Sequence, residues 1–408
     1  MITDPHLLPY QPLLGKLVLL GVTGGIAAYK AADLASNLVQ LGADVHVLMT
    51  HSATEFVGPT TFAALTQNPV HDTAIERWEA GYTGHISLGQ SAAAFVVAPA
   101  TANTIAKLAL GLADDMIGTV ALTTQAPLVI APAMEHEMFH HPATQAHVAT
   151  LRDRGALIVG PDTGRLASGE YGEGRLTTAA IITGAVRQAI GLGGPLTGKT
   201  IVVTAGGTFE ALDPVRYIGN RSSGRMGYSL AQSAIDAGAR VILITGPSNL
   251  PTPYGACVVR VESAEQMNTA VQTHVKAADA ILMTAAVADF RPSQPSLEKI
   301  KKQEGQTGLT VELDRNPDII GGLRDAPLLR VGFAAETSNH VLNATDKLTR
   351  KNLDMVIVND AVDTIGSTTI QATLVSRSNE PEILPRMVKE RMAATIIERL
   401  PGLLENHS

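Results

Sequence analysis

Three observations predict two doubly wound α/β domains in tandem. The chain has 408 residues, more than one ordinary core holds, so two domains are expected. Each half carries a series of short β-rich runs alternating with helical patterns, as in parallel sheets covered by helices on both faces. Between the halves GLGGPLTG (191–198) breaks the pattern, and LGK-LVLL and TGK-TIVV open the two series alike. The expected boundaries are a first domain over 1–190, a linker over 191–198 and a second domain over 199–408.

The first series begins with KLVLLGV (16–22), a strand. The Gly-rich turn TGGIAAYK leads into an amphipathic helix ending near Leu41-Gly42, and DVHVLMT (44–50) completes a βαβ unit. AAFVVAPA (93–100), PLVIAPAM (127–134) and ALIVGP (156–161) read as further buried strands. The second series is TIVVTAGG (200–207), VILITGP (241–247), AILMTAAVA (280–288), LRVGFAAE (329–336) and DMVIVND (354–360). RNPDI (315–319) is expected to open a helix. KLTRKN (347–352) places Lys347, Arg350 and Lys351 at i, i+3 and i+4 on one helix face. In such sheets ligands gather at the carboxyl ends of strands, near the switch point. The chemistry-bearing segments fall just after strands.

At 45% hydrophobic and 17% charged residues the composition is globular. It offers no apolar run of about 18 residues, so no membrane span is expected. MITDPHLLPYQPLLGK has no basic n-region and no signal pattern. The single cysteine, Cys257, excludes an internal disulfide framework and a multi-cysteine metal site. A cytoplasmic enzyme is the expectation. The net charge of -7 is uneven: residues 1–190 hold 9 Lys+Arg against 15 Asp+Glu, so most cations lie in the second half. They cluster at Arg221 and Arg225, at Lys299, Lys301 and Lys302, and at Lys347, Arg350 and Lys351. Neither half is basic enough for a nucleic-acid footprint. Clustered cations in a near-neutral domain suggest a small polyanion; the plain alternative is a set of solvated patches.

In the first half, GVTGGIAAYK (21–30) follows a strand and opens a helix whose free amides suit a phosphate. Its glycines do not fall at the dinucleotide spacing, and the second strand ends Met49-Thr50 without the acid that would hold a ribose. A mononucleotide is therefore favoured over NAD. Gly24, Gly25, Ile26 and Thr50, with Thr101 and Asn103 of APATANT (98–104), are the candidate cofactor-binding residues. GHISLG (84–89) carries His85; a lone histidine is by itself more often structural than catalytic. His136-Glu137-Met138-Phe139-His140 is a formal H-E-x-x-H match, so zinc hydrolysis is an alternative. Pro142 would interrupt a continuing helix there, and Ala146 stands where an extended zinc motif needs histidine.

In the second half, GNRSSGRMG (219–227) packs two guanidiniums, two hydroxyls and free amides where a helix begins. Backbone nests and Arg forks both favour anions; the alternative is a capping serine with incidental arginines. AAVADF (285–290) presents Asp289, and EKIKK (298–302) follows in a polar loop. One acid beside several cations fits a nucleotide with Mg²⁺.

Over nearly its whole length the sequence resembles the bacterial bifunctional flavoproteins that act as phosphopantothenoylcysteine decarboxylase and phosphopantothenate–cysteine ligase. The resemblance rests on TGGIAAYK, GHISL, APATAN, the PAM segment and GEGR in the first half. In the second half it rests on TAGGTFEALDPVRYIGNRSSGRMG, AAVADF, EKIKK, NPDI, GFAAET and RKNLD. It implies a flavodoxin-like N-terminal domain and a nucleotide-binding, Rossmann-like C-terminal ligase domain. It further implies that CTP with Mg²⁺ activates phosphopantothenate as an acyl-cytidylate, which the amine of L-cysteine then attacks. FMN in the first domain would oxidise the cysteinyl thiol toward a thioaldehyde, ease loss of CO₂ and return the electrons. The implied catalytic residues are His85 for decarboxylation, and Asn220 and Lys299 for ligation. Asp289, Asn316, Pro317, Asp318, Ile319, Phe333, Lys347 and Lys351 match CTP-binding positions. Met134, Arg175, Arg216, Ser222, Ser223, Gly224 and Arg225 are the candidate substrate-binding residues. The metal ligands are unassigned. The resemblance also implies a homo-oligomer, trimeric through its flavin domains and dimeric through its ligase domains, hence a dodecamer.

Two positions depart from the family pattern. Glu135 stands where many members have asparagine, and Ser168 where many have the cysteine that donates the last proton. A hydroxyl is a far weaker acid than a thiol. Either another group, such as Glu135, Glu170 or Tyr171, donates that proton, or decarboxylation stops at the enethiol, or the first domain is impaired. An active ligase with a regulatory flavin domain is thus the alternative reading.

Overall fold

The structure, a computed structural model, describes residues 4–73, 84–302, 307–336, 339–360, 366–377, 380–405 and 407. It divides into two compact units, one over residues 11–192 and one over 193–408 joined by the first ten residues.

The first unit is built on a parallel sheet of strands β1 (Leu17–Val22), β2 (Asp44–Met49), β3 (Val70–His71), β4 (Ala94–Ala100), β5 (Leu128–Pro132) and β6 (Leu157–Ile158). Their order is β3-β2-β1-β4-β5-β6, so the winding reverses between β1 and β4. The central strands are buried on both faces, which is why they read as unbroken apolar runs. Beside the sheet, β7 (Asp162–Arg165) and β8 (Tyr171–Arg175) form an antiparallel hairpin. The helices used below are α1 (Ala31–Gln40), α2 (His51–Thr54), α3 (Pro59–Thr66), α4 (Gly84–Ser91), α5 (Ala102–Leu110), α6 (Met116–Thr123), α7 (His136–His140), α8 (Pro142–Asp153) and α9 (Ala179–Gly191).

The second unit repeats the scheme. Strands β9 (Thr200–Ala205), β12 (Arg240–Thr245), β13 (Cys257–Arg260), β14 (Ala280–Met283), β17 (Leu329–Glu336) and β18 (Met355–Asp360) pair in parallel, with the reversal between β9 and β14. The edge beyond β18 is antiparallel, through β20 (Ala372–Ser376) and β21 (Glu382–Ile383). Outside this sheet, β10 (Phe209–Ala211) pairs with β11 (Tyr217–Gly219), β15 (Phe290–Pro292) with β16 (Leu313–Arg315), and β19 (Thr369–Ile370) with β22 (Met387–Val388). Its main helices are α10 (Arg225–Asp236), α11 (Ala264–His274), α12 (His340–Arg350), α13 (Lys389–Ile397) and α14 (Leu400–Glu405).

Three expectations need correction. The strand expected over 280–288 stops at Met283, after which Ala286 makes only an isolated bridge to Gly207. The strand expected over 156–161 is two residues long. RNPDI does not open an α-helix: Asp318 accepts from the Gly321 amide at 3.1 Å, and only a 3₁₀ turn over Gly321–Leu323 follows. Pro317 and the Gly321-Gly322 pair are poor α-helix formers, so the side-chain turn wins.

The first residues also take an unforeseen place. The Val388 amide donates to the His6 carbonyl at 3.1 Å. The Arg391 guanidinium lies 5.6 Å from the Tyr10 ring centre, within cation–π range. The N-terminal segment is thus part of the second unit.

Candidate functional site

A cavity of about 950 Å³ opens in the second unit, beside the switch point of the sheet. Four segments meet there. Asn220, Ser222, Ser223, Gly224 and Arg225 come from the turn after β11, and Asp289 from the loop after β14. Asn316, Pro317, Asp318 and Ile319 follow β16; Phe333 lies on β17, and Lys347 and Lys351 come from the end of α12. Most of the second-half candidates therefore line one wall.

The turn is built for close approach. Gly224 caps α10 with φ 77°, a left-handed conformation that glycine adopts without steric cost. Ser222 Oγ accepts from the Gly224 amide at 3.3 Å, and Ser223 Oγ from the Arg225 amide at 3.4 Å. Gly224, as the N-cap, itself supplies no side-chain hydrogen bond to the amides beyond Arg225, and amides so placed suit an anion. The Asn220 amide nitrogen donates to the Ala286 and Val287 carbonyls at 3.3 and 3.0 Å. Asn316 donates to the Ala288 carbonyl at 2.8 Å, and its own amide donates to the Asp289 carbonyl at 2.9 Å. These bonds stitch three wall segments together.

Cations outnumber acids on the wall. Lys347 Nζ donates to the Phe333 carbonyl at 2.6 Å, and Lys351 Nζ lies 2.9 Å from Asp318 Oδ1. Burial works against the Asp318 charge, but Lys351, the Gly321 amide and Arg350 outweigh it and hold the carboxyl below the usual range. Arg315, Arg350 and Lys389 also line the cavity.

Lys299 and Arg216 do not line it among the described residues. Arg216 and the loop that carries Lys299 meet at a second anchor. The Arg216 guanidinium donates to the Ile300 carbonyl at 2.9 Å, and the Ser296 amide to the Leu212 carbonyl at 3.0 Å. Asp213, buried beneath them, accepts from the Val215 and Arg216 amides at 2.8 Å each and from the Ile300 amide at 3.2 Å. Burial disfavours its charge, yet these amides and Arg216 prevail and hold its carboxyl below the ordinary value. Asp213 thus fixes the loop that carries Lys299. A depressed acid contributes stability above its unfolded pKa, near 3.9, which is lost as pH falls through the lower folded value. Asp213→Asn is expected to lower the melting temperature of this unit by a few degrees at pH 6. Calorimetry from pH 6 down to pH 3 should show the gap to wild type closing only below about pH 4.

In the first unit the glycine turn lies at the ends of β1, β2 and β4. Thr23 is fully buried; its hydroxyl donates to the Pro99 carbonyl at 2.7 Å and accepts from the Thr101 amide at 3.1 Å. Thr101 caps α5, accepting from the Thr104 amide at 3.4 Å, and Thr50 caps α2, accepting from the Ala53 amide at 3.2 Å. A Cβ on Gly24 would sit 2.3 Å from Ser52 Cβ, so only glycine fits. The 3₁₀ turn Ile26–Lys30 begins at Gly25 with no side-chain cap. Ile26 and Asn103 are exposed. Uncapped amides, threonine hydroxyls and an amide side chain at three strand ends fit the phosphate and polar edge of a flavin mononucleotide.

The β7–β8 hairpin joins this region. The Met134 amide donates to the Gly174 carbonyl at 2.9 Å. Arg175 comes near Lys30: burial pushes the Lys30 ammonium pKa down and Arg175 adds to the effect, against Asp162. Glu135 caps α7, accepting from the Glu137 amide at 2.6 Å through Oε2, while Oε1 is buried without a partner among the described residues. Ser168 is exposed at the hairpin tip, its hydroxyl accepting from the Glu170 amide at 3.4 Å. His85 lies half-buried in the first turn of α4, whose backbone is held by Thr123 Oγ1 donating to the His85 carbonyl at 3.2 Å. No hydrogen bond among the described residues ties His85 or Ser168 to the glycine turn.

The H-E-x-x-H match has another use. His136 Nδ1 accepts from the Glu173 amide at 3.1 Å, and His140 Nε2 lies 3.0 Å from the Glu173 carboxylate. Pro142 starts a fresh helix, α8, capped by His141. Among the described residues no group of three or more His, Cys, Asp or Glu side chains is arranged to hold a metal, and no helix is long and apolar enough to cross a membrane.

Sequence reasoning missed Asp213 and Lys389. Asp213 falls inside TAGGTFEALDPVR, where nothing local marks it; Lys389 is a lone lysine in a stretch without a motif.

Residues 8–191 match the model of the flavoprotein family, and residues 196–403 that of the DNA/pantothenate metabolism flavoprotein C-terminal domain. The chain is 44% identical over 355 residues to the coenzyme A biosynthesis bifunctional protein CoaBC of Vibrio cholerae, covering 86% of this chain and 88% of that one. It is 43% identical over 394 residues to the protein of the same name from Bacillus subtilis, covering 95% and 97%. Among solved structures, the C-terminal domain of a CoaBC protein aligns at 38% identity with a TM-score of 0.45, over 52% of this chain and 98% of that one. The chain belongs to the family of coenzyme A biosynthesis bifunctional enzymes, which join a flavoprotein domain to a pantothenate-metabolism ligase domain.

Proposed function

We propose that the chain carries out two successive steps, the ligation of L-cysteine to phosphopantothenate in the second unit and the decarboxylation of the product in the first. The carrying observation is the cavity in which the Ser222–Arg225 turn, Asp289, the Asn316–Ile319 segment and Lys347 with Lys351 converge. In ligation, the carboxylate of phosphopantothenate attacks the α-phosphorus of CTP and pyrophosphate leaves. The amine of cysteine then attacks the acyl carbon, loses a proton and displaces CMP. Arg225, Lys347 and Lys351 screen the triphosphate so that an anion can approach it, and they stabilise the charge that builds on the leaving phosphates. Mg²⁺ would accompany the nucleotide.

In the first unit FMN, when bound, supplies oxidation of the cysteinyl thiol and the later return of the electrons. Gly24, Gly25, Ile26, Thr50, Thr101 and Asn103 would hold it, and Met134 and Arg175 would orient the substrate. His85 handles the proton of the reacting cysteinyl group. Ser168 favours a second reading for this half alone, in which reaction halts before the last protonation.

One experiment separates the two. The purified chain is supplied with CTP, Mg²⁺, phosphopantothenate and cysteine, and the products are identified by mass spectrometry. Phosphopantetheine is the expected product, with a group other than Ser168 donating the proton. Accumulated phosphopantothenoylcysteine or its decarboxylated enethiol would leave the chain a ligase with a halted flavin domain.

A further inference from the structure

The regular pairing of β9 with β14 ends at Met283, yet the residues that follow, Thr284 to Asp289, form one wall of the cavity in the second unit. Side chains take over part of the ladder there. Thr204 Oγ1 accepts from the Thr284 and Ala285 amides at 3.2 Å each. The Ala286 amide donates to the Gly206 carbonyl at 2.8 Å, and the Thr208 amide to the Ala286 carbonyl at 3.4 Å. Thr208 Oγ1 then accepts from the Ala288 amide at 2.9 Å. Both threonines are fully buried. Their hydroxyls do for this wall what ladder carbonyls do inside the sheet.

The bond from Thr208 acts at the end of the wall that carries Asp289. Asn316 holds the carbonyls of Ala288 and Asp289. The Ala288 amide is the remaining tether, and Thr208 is its partner. The start of the wall has no slack either. A Cβ on Gly227 in α10 would sit 2.6 Å from Thr284 Oγ1 and 2.9 Å from the Thr204 carbonyl oxygen. The wall is thus clamped at one end by α10 and at the other by Thr208 and Asn316. Thr208 is not among the described residues that line the cavity, so its influence passes through the backbone it holds.

We propose that Thr208 is a positioning residue for ligation, its hydroxyl fixing, through the Ala288 amide, the backbone that presents Asp289 to the nucleotide. The inference rests on the reading of this cavity as the ligation site. Its core is the hydroxyl and not the shape of the side chain. Valine in its place fills similar space but leaves the Ala288 amide buried without an acceptor, a state the loop escapes only by moving. Serine restores the acceptor.

The test uses the full chain with Thr208→Val, Thr208→Ser, Asp289→Asn and the Thr208→Val/Asp289→Asn double variant. Pyrophosphate release is followed with phosphopantothenate present while CTP with Mg²⁺ is varied. CTP binding is titrated by calorimetry without phosphopantothenate, which gives affinity and the fraction of competent sites. The valine variant should raise the KM for CTP and weaken CTP binding by about tenfold at unchanged stoichiometry, the scale of a misplaced binding group. The serine variant should recover most of the loss. The double variant should bind CTP within about threefold of Asp289→Asn alone, because residues that act through one another are not additive. Affinity and KM of the valine variant within about twofold of wild type would overturn the proposal. So would fewer competent sites at wild-type affinity, or equal impairment of the serine variant, either of which marks Thr208 as a packing residue. A full further loss on top of Asp289→Asn, or wild-type CTP binding by Asp289→Asn itself, would break the link to Asp289 and overturn it too. A wild-type chain that binds CTP but releases no pyrophosphate would instead sink the reading of the cavity, and the binding titrations would still judge Thr208. A wild-type chain that binds no CTP would overturn both.

Discussion

Asn220→Asp is expected to cut ligation by about a hundredfold or more while leaving decarboxylation of supplied phosphopantothenoylcysteine intact. The structure supplies the reason. The Asn220 amide nitrogen donates to two backbone carbonyls, those of Ala286 and Val287. An aspartate has no hydrogen to donate at neutral pH and would set an anion against both oxygens. Its charge would also repel the phosphates proposed to sit at the neighbouring turn. Lys299→Gln should give the same split by a different route, because Lys299 sits on the loop anchored by Asp213 and Arg216. Rates of pyrophosphate release and of CO₂ release, measured on each variant, decide the matter. Equal loss of both activities would contradict separate sites.

Much of this arrangement was legible in the sequence because parallel strands buried on both faces must be apolar throughout. LVLLGV, TIVVTA and VILIT could be little else, and the residues after them inherit positions at the strand ends. The antiparallel edge was not legible. β21 is two exposed residues, Glu382 and Ile383, with prolines nearby, and carries no alternation long enough to read. The attachment of the first residues to the second unit has no local signal at all, since its contacts, among them a backbone hydrogen bond and a cation–π contact, join opposite ends of the chain. Asp213 was hidden for a related reason. Its worth lies in three amides that folding brings to it, one of them from the distant Ile300. Conversely, the His136–His140 spacing suggested a metal where folding brings Glu173 instead.

The second large effect belongs to the other unit. His85→Asn is expected to lower CO₂ release from phosphopantothenoylcysteine by about a hundredfold or more, the scale of a lost acid–base group, and to leave CTP-dependent ligation unchanged. The backbone of His85 is fixed by Thr123, whose hydroxyl bonds its carbonyl from α6. The helix pair is tight, for a Cβ on Gly89 would sit 2.3 Å from Thr123 Oγ1. Asparagine keeps a hydrogen-bonding side chain of similar reach and does not disturb that backbone bond, but it cannot take up a proton near neutral pH. A loss of CO₂ release with normal flavin absorbance would therefore isolate proton handling from cofactor binding. Loss of the flavin together with activity would instead make His85 a structural support of the cofactor site. Unchanged CO₂ release would move the acid–base role elsewhere, and Glu135, whose Oε1 is buried without a partner among the described residues, would be the next group to substitute.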